Sequence, residues 1–279
     1  DKIRLTGSSI DAETTSTTSL PLYYEVENSE IARLSVTQEL MLKSHWKLDE
    51  VNYAEASDEL LLHTGSVKGL QTTGSNNAWQ PAKFSNGLLL DGVDGLVDFG
   101  PLQLDSNFTF SFWARPEENA TAKNEMTLLS KKGVNSMNHF RLFKNDGNGT
   151  IGFDLFTDGN NSATQFNSST ECLVDNHWTH FALTYNGNSG ALTLFANAEP
   201  IISHPNLKEA NNALPYSFRF SNLILGAASN SFHGLIDDLR LYSTDLNSSH
   251  IEKLYNLGGG DYHTLEIIGF GQSKITAFQ

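Results

Sequence analysis

The feature that most constrains the fold of this chain is an alternation of apolar and polar side chains with a period of two residues. Residues 108–113 show it most clearly, because three phenylalanines alternate there with Thr109, Ser111 and Trp113. Successive side chains of a β-strand point to opposite faces of a sheet, so the phenylalanine face of this segment is expected to lie in a core. Four further segments share the pattern: Phe140/Leu142, Ile151/Phe153/Leu155, Phe181/Leu183/Tyr185 and Leu192/Leu194.

Turn-forming residues separate these segments, as in the Asn-Asp-Gly-Asn-Gly run at residues 145–149. Many short strands joined by such turns predict an all-β protein built as an antiparallel sandwich or barrel. One short helix is expected at residues 248–255, with Ser248 placed to cap its first turn. Ile251 and Leu254 would share the apolar face of that helix.

Charge and cysteine content narrow the functional classes. The chain has 18 basic and 32 acidic residues and a formal net charge of −14, which opposes contact with a phosphate backbone, so no nucleic-acid partner is expected. No apolar run approaches the roughly 18 residues that span a bilayer, so no membrane insertion is expected either. Cys172 is the only cysteine, which excludes an internal disulfide and a cysteine-based zinc site.

Several sequence landmarks resemble, in order and spacing, the laminin-G-like jelly-roll modules of bacteria. The landmarks are His-Trp-Lys-Leu-Asp-Glu at residues 45–50, Gly-Leu-Leu-Leu-Asp-Gly at 87–92, and the runs at 108–113, 178–185 and 232–242. The resemblance implies an antiparallel jelly-roll sandwich of the laminin-G/concanavalin A-like type over residues 42–258. A more remote resemblance to pentraxins does not extend to their ligand site, because residues 227–230 (Ala-Ala-Ser-Asn) lack its acidic side chains.

The two ends of the chain resemble parts of a bacterial immunoglobulin-like repeat. Residues 1–41 and 259–279 both contain strand-like runs, such as that at 264–268. Because these pieces adjoin in such repeats, the jelly roll at 42–258 is predicted to be inserted into a small immunoglobulin-like β domain. The alternative is a pair of linkers that pack loosely on the sandwich. Pairing between strands from the two ends would favour the insertion.

No catalytic residues are identified. Glycan hydrolases of related sandwich folds place carboxylates at alternate positions of one strand. The nearest match, among residues 25–30, runs into a turn and lacks the central Asp of that motif, so the chain is predicted not to be an enzyme. His180 and the other histidines have spacings that match no metal-ligand motif, and a structural or surface role is expected for His180.

Acidic residues near the two ends of the jelly roll indicate a cation site. Glu50 would share a face with Trp46 on the first strand, and Asp237 would share a face with leucines on the last. If these strands pair antiparallel, the two carboxylates lie close together and need compensation. Calcium is therefore the predicted structural cofactor, and its predicted ligands are Glu50, Asp237, Asp238 and Asp91. The alternative is that Arg240, Lys47 or backbone N–H groups satisfy the acids.

A glycan ligand would require exposed aromatic faces beside polar side chains. The candidate ligand-binding residues are Trp113, Trp79, Tyr216 and Phe232. Trp113 is the strongest of them, because it points away from the phenylalanine face of its own strand, although a covering loop could bury it.

These features together predict a non-catalytic, secreted or cell-surface module for adhesion or polysaccharide binding, within a larger multidomain protein. The expected partner is a polysaccharide or a surface protein. One alternative is a structural repeat unit of a surface filament or coat, which would self-associate through the incomplete edge of the host sheet. Another is an accessory module of a polysaccharide-degrading enzyme.

Overall fold

A computed structural model describes most of the sandwich and six strands outside it. The described residues are 41–121, 124–132, 138–156, 163–207 and 221–257, with the flanking strands at 3–5, 10–12, 20–25, 31–37, 264–268 and 275–277. The chain divides into two compact units, of which one comprises Asp1–Met41 with Leu257–Gln279 and the other Leu42–Asn256.

The first unit contains strands from both ends of the chain. Numbered along the chain, they are β1 (Ile3–Leu5), β2 (Ile10–Ala12), β3 (Leu20–Glu25), β4 (Ile31–Thr37), β21 (Thr264–Ile268) and β22 (Ile275–Ala277). One antiparallel sheet has the order β2-β3-β4-β21, and β1 pairs with β22. Strands before and after the sandwich therefore pair with each other, as an inserted sandwich requires. The immunoglobulin-like character of this unit stays a prediction.

The second unit is an antiparallel β-sandwich with one helix. Its elements are β5 (Leu42–Trp46), β6 (Glu55–Ala56), β7 (Gly65–Lys68), β8 (Trp79–Pro81), β9 (Asn86–Asp91), β10 (Leu96–Leu102), β11 (Phe108–Pro116), β12 (Met126–Lys132), β13 (Asn138–Lys144), β14 (Ile151–Phe156), β15 (Ala163–Asn167), β16 (Thr179–Asn186), β17 (Ala191–Ala196), β18 (Glu199–His204), β19 (Ser221–Gly226), β20 (His233–Tyr242) and α1 (Ser248–Leu257). The first sheet has the order β15-β14-β13-β12-β19-β10-β7-β6. The second has the order β18-β17-β16-β11-β20-β9-β8, and β5 also pairs with β20. The predicted all-β jelly-roll sandwich is confirmed.

The core lies between the two sheets and is rich in aromatic rings. Phe110 of β11 and Phe140 of β13 belong to opposite sheets, and their ring centroids lie 6.1 Å apart. Both side chains are fully buried, and such burial stabilises a fold by about 1.5–3 kcal/mol for each side chain. The alternation predicted for β11 is confirmed, since Phe108, Phe110 and Phe112 all belong to the core cluster.

The opposite face of β11 is also covered, because α1 lies against it. Trp113 on that face stacks on Tyr255 of the helix. The helix itself is confirmed, but its predicted cap at Ser248 is wrong by one residue. The side-chain oxygen of Asn247 accepts a hydrogen bond from the backbone N–H of His250 at 3.0 Å, as an N-cap residue does.

Candidate functional site

Trp113 is not an exposed sugar platform. Only 3 % of this residue is exposed, because the ring of Tyr255 covers it from α1, with ring centroids 5.8 Å apart. Lys83 extends over the indole as well, and its Nζ lies 4.3 Å from the ring centroid. The expectation of an open indole face is therefore wrong. The alternative, that another element covers Trp113, is correct, and that element is α1.

The other aromatic candidates do not form a platform either. Trp79 is 5 % exposed, and its Nε1 donates a hydrogen bond to the backbone carbonyl of Tyr53 at 2.8 Å. Phe232 is completely buried and belongs to the core cluster. Neither of these two candidates therefore offers an exposed aromatic face to a ligand. Tyr216 lies outside the described residues.

The predicted pairing of Glu50 with Asp237 is replaced by a different arrangement of acids. The ladder between β5 and β20 ends at Trp46, and Leu48, whose φ is 62°, turns the chain away from β20. Glu50 consequently does not continue along β20. Asp49 is the residue of this segment whose charge acts on Asp237.

Asp237 is a completely buried carboxyl group with incomplete hydrogen bonding. Its Oδ2 accepts a hydrogen bond from the backbone N–H of Phe84 at 2.8 Å, whereas its Oδ1 has no partner. Burial raises the pKa of Asp237 to about 8, and the negative charges of Asp238 and Asp49 act in the same direction. This carboxyl group is therefore either protonated near neutral pH or compensated by a cation.

The other three predicted calcium ligands already receive hydrogen bonds. The donors are His45 Nε2 (2.7 Å) and Arg240 Nε (3.2 Å) to Asp238, the backbone N–H groups of residues 93–95 to Asp91, and the Ser57 N–H (2.6 Å) to Glu50. Burial opposes the charge of Asp238, yet the His45 hydrogen bond and the Arg240 charge hold its pKa below the usual range. For Asp238 and Asp91 the alternative is correct, since arginine and backbone groups satisfy these acids.

The four predicted ligands thus do not assemble into one shell. Among the residues that the structure describes, no group of three or more His, Cys, Asp and Glu side chains is arranged to hold a metal ion. The unpartnered Oδ1 of Asp237 and the neighbouring charge of Asp49 still suit a cation. The remaining ligands would have to be carbonyl or water oxygens, which calcium accepts.

A buried Ser–His pair on the outer face of the second sheet was not identified from the sequence. Ser111 Oγ and His180 Nε2 lie 2.8 Å apart. The two residues are 2 % and 1 % exposed, and burial lowers the pKa of His180 to about 4. Because Trp113 and Tyr255 pack against the imidazole, no substrate can reach the pair. Its role is structural.

Among the sandwich residues whose side chains the structure describes, Tyr53 is the one aromatic side chain that is largely exposed, at 67 %. It lies in a loop at residues 49–54, which we call the Tyr53 loop. The side chains of Asp49 and Asn52 in the same loop are also exposed. The sequence signal is slight, because Tyr53 lies outside the alternating segments that predict the strands.

Five carbonyl groups of the Tyr53 loop accept hydrogen bonds from the sandwich. The donors are Asn86 Nδ2 to Asp49 (3.5 Å) and Glu50 (3.2 Å), Asn77 Nδ2 to Val51, Trp79 Nε1 to Tyr53 (2.8 Å) and the Val67 N–H to Ala54 (2.9 Å). These bonds fix the path of the loop and leave the Tyr53 ring facing solvent. Trp79 was predicted to contact a ligand, but its indole N–H instead binds the backbone carbonyl of the exposed Tyr53.

The two-sheet jelly roll places the protein among the lectin-like β-sandwich domains. Residues 91–252, more than half of the chain, match the family described as the concanavalin A-like lectin/glucanases superfamily. The chain belongs to this superfamily.

A curated relative and two solved structures resemble the chain. Adhesion G-protein coupled receptor V1 of Danio rerio is 30 % identical over 160 residues, which are 55 % of this chain and 2 % of the receptor. Domain 4 of AbnA, a GH43 extracellular arabinanase from Geobacillus stearothermophilus solved with arabinotriose, has a TM-score of 0.54 at 19 % identity and covers 77 % of this chain and 98 % of its own. The botulinum neurotoxin serotype D ligand-binding domain, solved with N-acetylneuraminic acid, has a TM-score of 0.53 at 19 % identity and covers 77 % and 50 %.

These structural similarities show the fold alone. The chain spans only a small fraction of the receptor that it resembles. No helix among the described residues has the length and apolar character needed to cross a bilayer.

Proposed function

We propose that the sandwich is a non-catalytic polysaccharide-binding module of a secreted or cell-surface protein. The observation that carries this proposal is membership of the concanavalin A-like lectin/glucanases superfamily over most of the sandwich. Two structures with the same fold were solved with a bound sugar, arabinotriose in one and N-acetylneuraminic acid in the other. The adhesion receptor and the extracellular arabinanase support a location outside the cell.

The burial of the polar groups in the second sheet supports binding rather than hydrolysis. Glycoside hydrolysis requires two carboxyl groups that flank the scissile bond on an open surface. Asp237 and Asp238 are adjacent acids of β20, but they are 0 % and 6 % exposed. The Ser111–His180 pair is equally closed to a substrate.

A glycan array probed with the whole chain tests this function, with and without calcium. We expect binding to at least one class of polysaccharide and no release of reducing ends from it over a long incubation. An array without signal in both conditions would overturn the proposal of glycan binding. Release of reducing ends would overturn the non-catalytic role.

An accessory role in polysaccharide degradation is the second candidate function. It is favoured by the similarity to domain 4 of an arabinanase, of which the chain covers almost the whole domain. In that case the polysaccharide that binds the module is also the substrate of a catalytic domain in the same protein. Sequencing the full gene separates this role from adhesion.

Calcium stays a prediction for this module, now centred on Asp237 and Asp49 rather than on the four residues first considered. It is supported by a completely buried carboxylate oxygen of Asp237 without a hydrogen-bond donor. The ion would be structural, since the buried group on which it depends cannot contact a glycan.

A further inference from the structure

We infer that the Tyr53 loop is the sugar-contact site of the module and that it takes neutral sugar units. The inference rests on the proposed polysaccharide-binding function. It starts from Tyr53, whose ring is 67 % exposed, although every other aromatic ring of the sandwich whose side chain is described is buried or partly covered. Burial of an aromatic ring stabilises a fold, so a ring left open on a fixed loop is available for a ligand.

The exposure of Tyr53 does not result from a loosely held loop. Five of the six carbonyl groups in residues 49–54 accept hydrogen bonds from the body of the sandwich. Asn77 is central to this arrangement, because it also contacts the Asn52 side chain at 3.4 Å and accepts a hydrogen bond from the Trp79 backbone N–H at 3.0 Å. A ligand that meets a loop already fixed in this way has little ordering entropy to overcome.

The side chains of the Tyr53 loop offer the two kinds of contact that a sugar needs. The flat ring of Tyr53 can pack on the C–H face of a sugar ring, and Val51, 57 % exposed, extends the apolar surface. The exposed amide of Asn52 and carboxylate of Asp49 can hydrogen-bond to hydroxyl groups. An apolar ring beside exposed amide and carboxylate groups fits a carbohydrate better than it fits a purely apolar partner.

The charge of the loop selects among carbohydrates. Asp49 and Glu50 both lie in it, and the chain as a whole has a formal net charge of −14. A carboxylate on the ligand, as in sialic or uronic acids, would be repelled by these groups. Hydroxyl groups of a neutral sugar would instead donate hydrogen bonds to the Asp49 carboxylate.

A second exposed apolar feature nearby provides a matched control. Leu61 is 86 % exposed at the tip of a turn that is held by the buried Asp58, whose carboxylate accepts hydrogen bonds from the backbone N–H groups of Leu60, Leu62 and His63. The Leu60–Leu62 turn presents aliphatic groups without a ring to stack on a sugar. Truncating Leu61 thus removes exposed apolar surface from the same region of the module and leaves the Tyr53 loop intact.

The test compares the whole chain with its Tyr53→Ala, Tyr53→Phe and Leu61→Ala variants on one array of neutral and sialylated glycans that includes arabinotriose. We expect the wild-type protein to bind neutral glycans, Tyr53→Ala to lose about tenfold or more of that affinity, and the other two variants to stay within about threefold of wild type. Equal melting temperatures of all four proteins would show that the loss is local.

The outcomes separate failure of the site from failure of the function. If wild type and Tyr53→Ala bind the same neutral glycans equally, the site is wrong although the function stands. If wild type binds only sialylated glycans, the neutral class is wrong. If wild type binds nothing, the proposed function and the site assigned to it both fall.

Discussion

The indole of Trp113 and the phenol ring of Tyr255 stack with centroids 5.8 Å apart and planes 24° apart. This contact joins the outer face of β11 to α1, two elements far apart in sequence. It also explains why Trp113, which points away from the core between the sheets, is nevertheless only 3 % exposed. The helix therefore acts as a cover for the second sheet.

Removing the Tyr255 ring should uncover Trp113. We expect Tyr255→Ala to lower the free energy of unfolding by about 1–3 kcal/mol, because a partly buried aromatic contact is lost. Quenching of tryptophan emission by acrylamide should increase at the same time. Tyr255→Phe keeps the stacked ring and should leave both measurements near those of wild type. Unchanged quenching in Tyr255→Ala would contradict a covering role for the helix.

Asp237 should make the protein less stable as the pH rises. Its pKa is about 8 in the folded protein against 3.8 for an ordinary aspartate, so the folded state holds the proton over this interval and the unfolded state does not. The stability that this proton contributes is complete below about pH 4 and is lost as the pH rises through about 8. Urea unfolding with a chelator present should show wild type losing on the order of 4–5 kcal/mol between pH 4 and pH 8 relative to Asp237→Asn.

Asp237→Asn is a suitable reference for this pH dependence because it can keep the hydrogen bond to Phe84. The side-chain oxygen of an asparagine at position 237 can accept the bond that Asp237 Oδ2 now accepts from the Phe84 N–H, so the substitution removes the charge and keeps the contact. A stability difference between the two proteins that stays constant from pH 5 to 8 would contradict the raised pKa.

If calcium binds at Asp237, adding the ion should stabilise the protein relative to the same protein in a chelator. Calcium at about ten times its Kd should stabilise wild type by about 1.4 kcal/mol. The stabilisation should increase as the pH rises through about 8, because the Asp237 carboxyl group ionises over that range, and it should be absent in Asp237→Asn. A wild-type melting temperature that is the same with calcium and with a chelator would rule out a structural calcium ion.

The strands could be predicted from the sequence, whereas the exposed surface could not. The alternation in residues 108–113 is local, so it identifies β11 and its core face without knowledge of the partner strands. Whether Trp113 on the other face is open depends on α1, which no pattern around Trp113 reveals. The helix itself was predicted from its apolar face, but not its position against β11.

The acidic neighbour of Asp237 could not be predicted from the sequence either. Strand periodicity assumes that β5 continues to Glu50, but the positive φ of Leu48 ends the strand and makes Asp49 the neighbour of Asp237. A leucine gives no sequence signal of positive φ, because glycine and asparagine are the residues that usually adopt it. Tyr53 was missed for a related reason, since its loop has no periodic pattern at all.

The hairpin between β17 and β18 carries strain that a substitution can relieve. Asn197 and Ala198 both have positive φ, 50° and 67°, as the central residues of a type I′ turn do. Asparagine tolerates this conformation, whereas alanine is disfavoured in it by roughly 1–2 kcal/mol. Ala198→Gly should therefore raise the free energy of unfolding by about 0.5–1 kcal/mol, after allowance for the larger entropy that glycine has in the unfolded chain.

Ala196 provides the matched control, because it lies in β17 two residues before Ala198 and is not among the residues with positive φ. Glycine there gains no relief of strain and adds unfolded-state entropy. Ala196 is also 5 % exposed and part of the core cluster, so Ala196→Gly removes a buried methyl group as well and should lower the free energy of unfolding by about 1–2 kcal/mol. Urea midpoints of the two variants should consequently move in opposite directions from wild type. A shift of both midpoints to lower urea would mean that the turn is not strained at Ala198, and that its positive φ costs less than the added chain entropy.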